Sequence, residues 1–509
     1  MIDYQLYDYQ GIMLRRIEAE LEKPSDKKLC AQNGVRMRLG RSVMVQMPTG
    51  TGKTYVMAAA IRNVKVTGEV WVIAHRRELV EQMGRTLGRF GLEYVTTKSI
   101  DGWSETKIRV MSIQWLTRNI GRVPTRPALV IIDETHHAIA PSYQELWTVF
   151  PEALRIGFTA TPCRMRQVRF TKLFDVLLQS WSIDRFIKEG RLSLYDYVVI
   201  NRHSDEQHTI DGFERRGADG DYSVTEMDEK LNVVPTIARL FLSVRKYAYG
   251  KKGIVYAINI THAKNIARYY SENGLRAVAI DSKTPSAQRA QAVDDFRQGR
   301  IDCLVNVNIF DEGFDCPDVE FIQMARPTLS LSKYMQMVGR GLRVHPDKKM
   351  CVLIDNVGLY RMFGLPSEKR DWKRMFRGKE AGRGSLDRMR NARVSEVNND
   401  MEIVASHSGM AGWIEFYERI EPFEQGGRWG LRSGEQVVLR PIYCMIMPFV
   451  GDYCAYMLAP NRWGVLRRNG KPCVAPDYKK VEILAGGYAI LTQSEIYSER
   501  VCLEQPPFS

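Results

Sequence analysis

Lys53 and Thr54 close the run Pro48-Thr49-Gly50-Thr51-Gly52-Lys53-Thr54, which follows the apolar stretch 43–47 and leads into the helix-forming stretch 55–62. A strand that feeds a glycine turn and then opens a helix aims several backbone N–H groups and the positive end of the helix dipole at one point. That arrangement suits a polyphosphate. Thr49, Gly50, Thr51 and Gly52 would form the cradle, Lys53 would reach the β and γ phosphates, and the Thr54 hydroxyl would sit on Mg²⁺. The strict form of such a loop carries Gly at position 47, where this chain has Met47.

Downstream, the apolar run Leu129-Val130-Ile131-Ile132 ends in Asp133-Glu134-Thr135-His136. Carboxylates at the C-terminal end of a buried parallel strand face the crevice where open α/β sheets bind ligands. Asp133 would hold Mg²⁺, directly or through water, and Glu134 would orient and deprotonate an attacking water. His136 and His137 do not read as a metal pair: adjacent imidazoles point in different directions, and no cysteine lies nearby. Further on, Gln336-Met337-Val338-Gly339-Arg340-Gly341-Leu342-Arg343 sets two arginines three residues apart. On a helix they share a face. Presented from a second lobe, they would neutralise charge on a transferred phosphoryl group, as an arginine finger supplied in cis does. ATP and Mg²⁺ are therefore the expected cofactors.

The elements needed to hold these groups recur along the chain. Strand-like and helix-like runs alternate through the first part and again between 192 and 357, with strands expected at 253–257, 303–307 and 321–324. This predicts a second doubly wound domain. It has no phosphate-binding glycines of its own, as expected of the closing half of an interdomain clamp. The stretch 204–232 is polar and weakly periodic and reads as an insertion or a flexible crossing.

Together these segments resemble helicase superfamily 2. Asp-Glu-Thr-His at 133–136 is similar to that superfamily's motif II, Gly157-Phe158-Thr159-Ala160-Thr161-Pro162 to its motif III, and the run containing Arg340 and Arg343 to its motif VI. The resemblance implies a coupling role for His136, Thr159, Thr161 and Gln336. Leu6-Tyr7-Asp8-Tyr9-Gln10 resembles the adenine-reading segment, with Gln10 as the reader. Gly313-Phe314-Asp315-Cys316-Pro317 resembles motif V, which implies nucleotide contacts for Gly313 and Asp315. Arg76, in Val72-Ile73-Ala74-His75-Arg76, and Ser112 and Gln114, in Met111-Ser112-Ile113-Gln114, match corners that touch the nucleic-acid backbone. The resemblance covers roughly 4–356 and is closest to RadD-like and phage-encoded members, although the cysteine clusters of RadD are absent.

Composition sets the frame around these motifs. The 509 residues carry a formal charge of +14, which makes a polyanion a reasonable partner. Between Arg361 and Arg393 there are eleven Lys/Arg against four Asp/Glu; the stretch reads as a solvated connector or as a phosphate-contacting strip. Nine cysteines without a C-x-x-C pair read as reduced, packed thiols. No run is long enough to span a bilayer and the start has no signal-peptide layout, so no membrane association and a cytoplasmic location are expected.

Beyond the strip the composition changes. Trp429-Gly430 recurs as Trp463-Gly464, and Pro441-Ile442-Tyr443 lines up with Pro476-Asp477-Tyr478. A weaker copy starts at Tyr417. Such a period marks stacked β units, and the region resembles WG repeats. Its tryptophans serve as repeat core or as an aromatic platform for bases or a protein partner.

The expected fold is α/β: two tandem RecA-like doubly wound parallel-sheet domains (1–190 and 191–358), a basic linker (359–395) and a small β-rich repeat domain (396–509). The expected function is an ATP-dependent motor on nucleic acid, DNA in preference to RNA, acting as a monomeric helicase or translocase, with the tail open to a protein partner. The rival readings are a motor subunit of a restriction or phage-defence complex and a nucleotide-switched DNA-binding protein.

Overall fold

The computed structural model describes residues 6–25, 27–30, 36–101, 103–138, 140–163, 169–307, 316–378, 401–407, 419–468, 470–484, 488–494 and 498–503. The chain divides into two compact units, Met1–Ala405 and Ser406–Ser509.

Within the first unit, a short hairpin of β1 (Lys28–Cys30) and β2 (Arg36–Arg38) precedes a seven-stranded sheet. Its strands are β3 (Ser42–Gln46), β4 (Glu69–Ala74), β5 (Val95–Thr96), β6 (Ile108–Ser112), β7 (Pro127–Ile132), β8 (Leu154–Thr159) and β9 (Val176–Gln179). All are parallel, in the spatial order β5-β6-β4-β7-β8-β3-β9. Every residue of β3 and β4 is buried. A parallel sheet is covered by helices on both faces, so its central strands read as unbroken apolar runs.

A second sheet follows, made of β10 (Leu194–Ile200), β11 (Gly253–Tyr256), β12 (Ala277–Ile280), β13 (Cys303–Asn306), β14 (Phe321–Met324), β15 (Met350–Asp355) and β16 (Met401–Ala405). Its order is β12-β13-β11-β14-β15-β10-β16. Numbered from each lobe's own first strand, both sheets run 3-4-2-5-6-1-7. They differ at one edge, where β16 is antiparallel to β10 while β9 is parallel to β3. The strand Met401–Ala405 therefore belongs to the second lobe and not to the tail expected from 396, and the second unit begins at Ser406.

The stretch 204–232, expected as an insertion or a flexible crossing, is a packed subdomain. It contains helices Asp205–Asp211 and Val224–Leu231, whose Ser204 and Ser223 caps accept from the N–H groups of Gln207 and Glu226. Both read Ser-x-x-Gln/Glu, a helix-start signature masked by the polar composition around it. Phe213, Tyr222, Met227 and Leu231 are buried. Asp221, 1% exposed, accepts hydrogen bonds from the Thr328 hydroxyl (2.6 Å), the Leu329 N–H (2.7 Å) and the Lys333 ammonium (2.9 Å). It thereby fixes the start of the helix Leu331–Gly341.

The basic strip is only partly available to solvent over its described portion. Arg361 donates to the Gln207 side chain and the Ile200 carbonyl, and Arg370 to the carbonyls of Phe363 (2.8 Å) and Leu365 (2.9 Å). Lys373 and Arg374 are exposed. Here the chain returns to the first lobe. Phe376 is buried with Phe170, Phe174 and Leu177, and its ring stacks on Phe170 at 6.4 Å between centroids. The rest of the strip, 379–400, lies outside the described residues, as does Tyr417 of the weaker repeat copy.

The second unit comprises three antiparallel sheets: β17 (Ile420–Gln425), β18 (Arg428–Ser433) and β19 (Gln436–Tyr443); β20 (Met445–Ile446), β21 (Tyr453–Ala459), β22 (Arg462–Arg467) and β23 (Pro472–Tyr478); β24 (Lys480–Leu484), β25 (Tyr488–Thr492) and β26 (Ser498–Cys502). Trp429 pairs with Tyr443 and Trp463 with Tyr478, so the two sequence copies occupy the same register. From Ser406 onward eleven Lys/Arg face eleven Asp/Glu, and the chain's net positive charge resides entirely in the first unit. Among the described residues no helix is long and apolar enough to cross a membrane.

Burial alone would raise the Asp221 carboxyl, but Lys333 and the hydrogen bonds outweigh it and hold the group below its ordinary value. Its stabilisation is present above the unfolded-state pKa and fades as pH falls through the depressed one. Asp221→Ala should cost about 1–3 kcal/mol in denaturant unfolding at neutral pH. The gap between wild type and variant should narrow as pH drops below about 4.

Candidate active site

The phosphate loop lies at the C-terminal edge of the first sheet. Gly52 adopts φ +78° as the residue capping the helix Lys53–Asn63, a conformation that favours glycine. Thr51 is buried and its hydroxyl donates to the Pro48 carbonyl at 2.8 Å. Lys53 opens the helix, its ammonium 3.5 Å from the Met47 carbonyl, and Thr54 follows it, half-buried.

Gln10 braces this loop. Its side-chain oxygen accepts from the Tyr7 N–H at 3.0 Å and its amide nitrogen donates to the Thr51 carbonyl at 3.2 Å. The Tyr9 hydroxyl donates to the same carbonyl at 3.1 Å, and burial pushes its pKa up to about 12, so it remains a donor. Gln10 is 4% exposed. In this conformation it holds the loop instead of presenting an open edge to a base. Tyr7, which departs from the family pattern, caps the helix Asp8–Leu21 beneath the Arg191 guanidinium, 4.0 Å from its ring centre.

The carboxylates stand two strands away from β3. Asp133 accepts from the Glu134 N–H at 2.9 Å. Glu134 has φ +48°; among the described residues only Asn461 shares positive φ without being glycine. This left-handed geometry costs on the order of 1 kcal/mol or more and occurs chiefly where surroundings enforce it. The Glu134 carboxylate lies 3.2 Å from His136 Nδ1, which is 3.2 Å from the Thr159 hydroxyl. Thr159 Oγ1 accepts from the Thr161 N–H at 3.1 Å, and Thr161 Oγ1 is 2.5 Å from Ser332 Oγ. A polar chain thus runs from the first lobe's carboxylate to the second lobe's arginine helix.

That helix, Leu331–Gly341, carries Ser332, Gln336 and Gly339 at i, i+4 and i+7, on one face. Ser332 meets Thr161. At the other end a Cβ on Gly339 would stand 2.6 Å from the Thr49 Cβ, closer than real side chains approach. Gln336 is buried between these points of contact along the helix, and Arg340, in the last turn, is 6% exposed. The two arginines do not share the helix as expected: Arg343 lies beyond its cap at Leu342. Its Cγ nevertheless reaches the phosphate loop, 3.2 Å from where a Cβ on Gly50 would be. A cavity of about 150 Å³ opens beside this junction, lined among others by Thr49, Trp181, Met335 and Trp372.

The three expected nucleic-acid contacts sit together at adjacent strand ends, where Ala74 of β4 is in register with Ser112 of β6. The Ser112 hydroxyl accepts from the Trp115 N–H at 3.2 Å as a helix cap. The Gln114 amide donates to the His75 carbonyl at 2.7 Å, tying the two corners. Arg76 caps the helix Arg77–Arg89 and is half-buried. Gly313 and Asp315 lie outside the described residues. Sequence reading missed Ser332, Asp221 and Lys348, the residues that seat the arginine helix, because each acts on a partner distant in the chain or on backbone carbonyls.

Comparison with known proteins gives two family matches: "Type III restriction enzyme, res subunit" over residues 3–164 and "Helicase conserved C-terminal domain" over residues 232–345. A 51.5 kDa protein of a Lactococcus phage (isolate 7-9) is 31% identical over 338 residues, 66% of this chain and 70% of the phage protein. A Saccharomyces cerevisiae protein named as ATP-dependent helicase IRC3 is 26% identical over 348 residues, 64% of this chain but only half of the yeast protein's length. Among solved structures, a fragment assigned to the HsdR subunit of a type I restriction enzyme from Vibrio vulnificus YJ016 superposes with a TM-score of 0.51 at 21% identity. The match covers 70% of this chain and 65% of that one, a likeness of fold.

Gly339→Ala separates seating from stability. Alanine gains up to about 1 kcal/mol of helix propensity over glycine, while its Cβ lifts the helix from Thr49. ATP turnover should fall by about 10²-fold, with the melting temperature nearly unchanged. Full turnover would show that the helix can shift without consequence.

Proposed function

The chain belongs to helicase superfamily 2, and from that premise we propose that it couples ATP hydrolysis to movement along DNA, as a helicase or translocase. The observation that carries this reading is the seating of the arginine helix on the phosphate loop, Gly339 on Thr49 and Arg343 on Gly50. An ATPase that hydrolyses only when two lobes meet needs its charge-neutralising groups delivered across the junction.

In this reading the backbone N–H groups at the start of the helix Lys53–Asn63 bind the phosphates, and Lys53 swings from the Met47 carbonyl onto the β and γ oxygens. Glu134, held in its left-handed conformation with His136 against it, orients a water and takes its proton. Arg340 and Arg343 neutralise charge on the departing phosphoryl group. A hydroxyl and a carboxylate are the hard oxygen donors that suit a magnesium ion, which keeps most of its ligands from water and phosphate. Thr54 and Asp133 would hold it, and it would supply charge neutralisation at the β and γ oxygens. The chain from Glu134 through His136, Thr159 and Thr161 to Ser332 supports coupling, because loss of the γ phosphate at one end alters the seat of the helix at the other.

Movement along nucleic acid draws on the family and on charge. The first unit holds the chain's whole excess of +14, and Arg76, Ser112 and Gln114 mark a track at the strand ends. With equal numbers of opposite charges, the WG-like tail suits a protein partner better than a polyanion. A second reading, the motor subunit of a restriction or phage-defence complex, is favoured by the description of the family matched over residues 3–164.

Glu134→Gln and Arg340→Ala should each lower DNA-stimulated ATP turnover by about 10³-fold or more, with ATP binding retained. Unchanged turnover in either variant would refute its assigned role. Binding without turnover in the wild type would favour a nucleotide switch instead. If the strip contacts phosphates, neutralising Lys373 and Arg374 should reduce the slope of log affinity against log salt by roughly 0.9 per lost contact on duplex DNA. Arg370→Ala should instead destabilise the fold, because its guanidinium is committed to carbonyls.

A further inference from the structure

The arginine helix ends on a buried cation. Lys348, 7% exposed, donates to the carbonyls of Gly341 at 2.6 Å and Arg343 at 2.7 Å, and lies 3.4 Å from the carbonyl of Pro317. The last carbonyls of a helix have no partner within it and carry the negative end of its dipole. Lys348 satisfies one of them, on Gly341, together with the Arg343 carbonyl just past the cap. The carbonyls it holds are not arbitrary: one belongs to Arg343, and the other to Gly341, the residue after Arg340. The ammonium therefore fixes the peptide of one arginine and the immediate neighbour of the other. Cys351 closes the same corner, 2.4 Å from where a Cβ on Gly341 would be, so the backbone here has one seat.

We infer that Lys348 is a positioning residue for hydrolysis, holding the backbone that carries Arg340 and Arg343 at the reach and angle needed on the phosphate loop. The inference rests on the arginine roles proposed above. Lys348 does not touch the phosphates itself; its three N–H donors set where the guanidinium groups can go. Asp221 secures the opposite end of the same helix with a negative charge, so both buried charges match the dipole of the element between them.

Protonation supplies a readout that a purely structural residue would not move. Burial is the main cause holding the Lys348 ammonium below its ordinary lysine value. Of the titratable groups facing it, Cys351, Asp318 and Glu320 raise it and Arg343 lowers it further. The Cys351 thiol is itself pushed up to about 11 by burial. As pH rises through the depressed value the ammonium loses a proton and its grip on the carbonyls weakens.

The test uses the full chain with DNA. Lys348→Met should lower kcat by roughly tenfold or more, a small part of the 10³–10⁵ that an arginine finger contributes, with KM for ATP changed by less than about threefold. Arg340→Ala added to that variant should cost much less than it does in the wild type. In the wild type kcat should fall toward alkaline pH, and in Lys348→Arg, whose guanidinium stays charged, that fall should vanish. A Lys348→Met protein with a lowered melting temperature but wild-type kcat would overturn the inference. If that variant does not fold, a wild-type kcat that stays flat to alkaline pH overturns it. Should Arg340→Ala by itself leave turnover intact, the arginine assignment fails, a result distinguishable from failure at Lys348.

Discussion

The structure turns on a glycine that leaves no room. Gly339 lets the backbone of the arginine helix lie against Thr49 of the phosphate loop, at a distance that any side chain would forbid. Other contacts lie along the same element: Arg343 against Gly50 and Ser332 against Thr161, with Arg340 buried on the helix. Tight packing of this kind has few intermediate positions.

Both lobes use the same strand order, 3-4-2-5-6-1-7, yet they are not equivalent. The first follows β3 with a glycine-rich turn and β7 with two carboxylates. The second spends its distinctive residues on delivering one helix. Its inserted subdomain supplies Asp221 to the start of that helix, and the turn after it supplies Lys348 to the end. One sheet builds a receptor for charge, and the other builds a mount for a counter-charge.

The candidate site could be proposed from sequence because its residues are local in the chain. The glycine loop, Asp133 with Glu134, and Arg340 with Arg343 each occupy a short run, although Arg343 lies beyond the helix that carries Arg340. What escaped reading depends on distance or conformation. The left-handed backbone of Glu134 leaves no trace in residue type. The Thr161–Ser332 contact spans 171 positions. The basic strip stayed open between a solvated connector and a phosphate contact, because composition cannot say whether a guanidinium such as Arg370 faces water or a carbonyl. The stretch 204–232 looked loose because its helices are short and polar, although Ser204 and Ser223 announced them. Met401–Ala405 was assigned with the β-rich tail, because sequence does not say which sheet a strand will complete.

The return of the chain to the first lobe has a mechanical consequence. The lobes are joined once through the segment between β9 and β10 and again through the stretch that carries Arg370 to Phe376, whose ring is set in the first lobe's core. From Gly364 to Trp372 the chain can extend at most about 3.3–3.6 Å per residue. Two bodies joined at two points cannot drift apart freely: the second tether sets a ceiling on how far the lobes can separate.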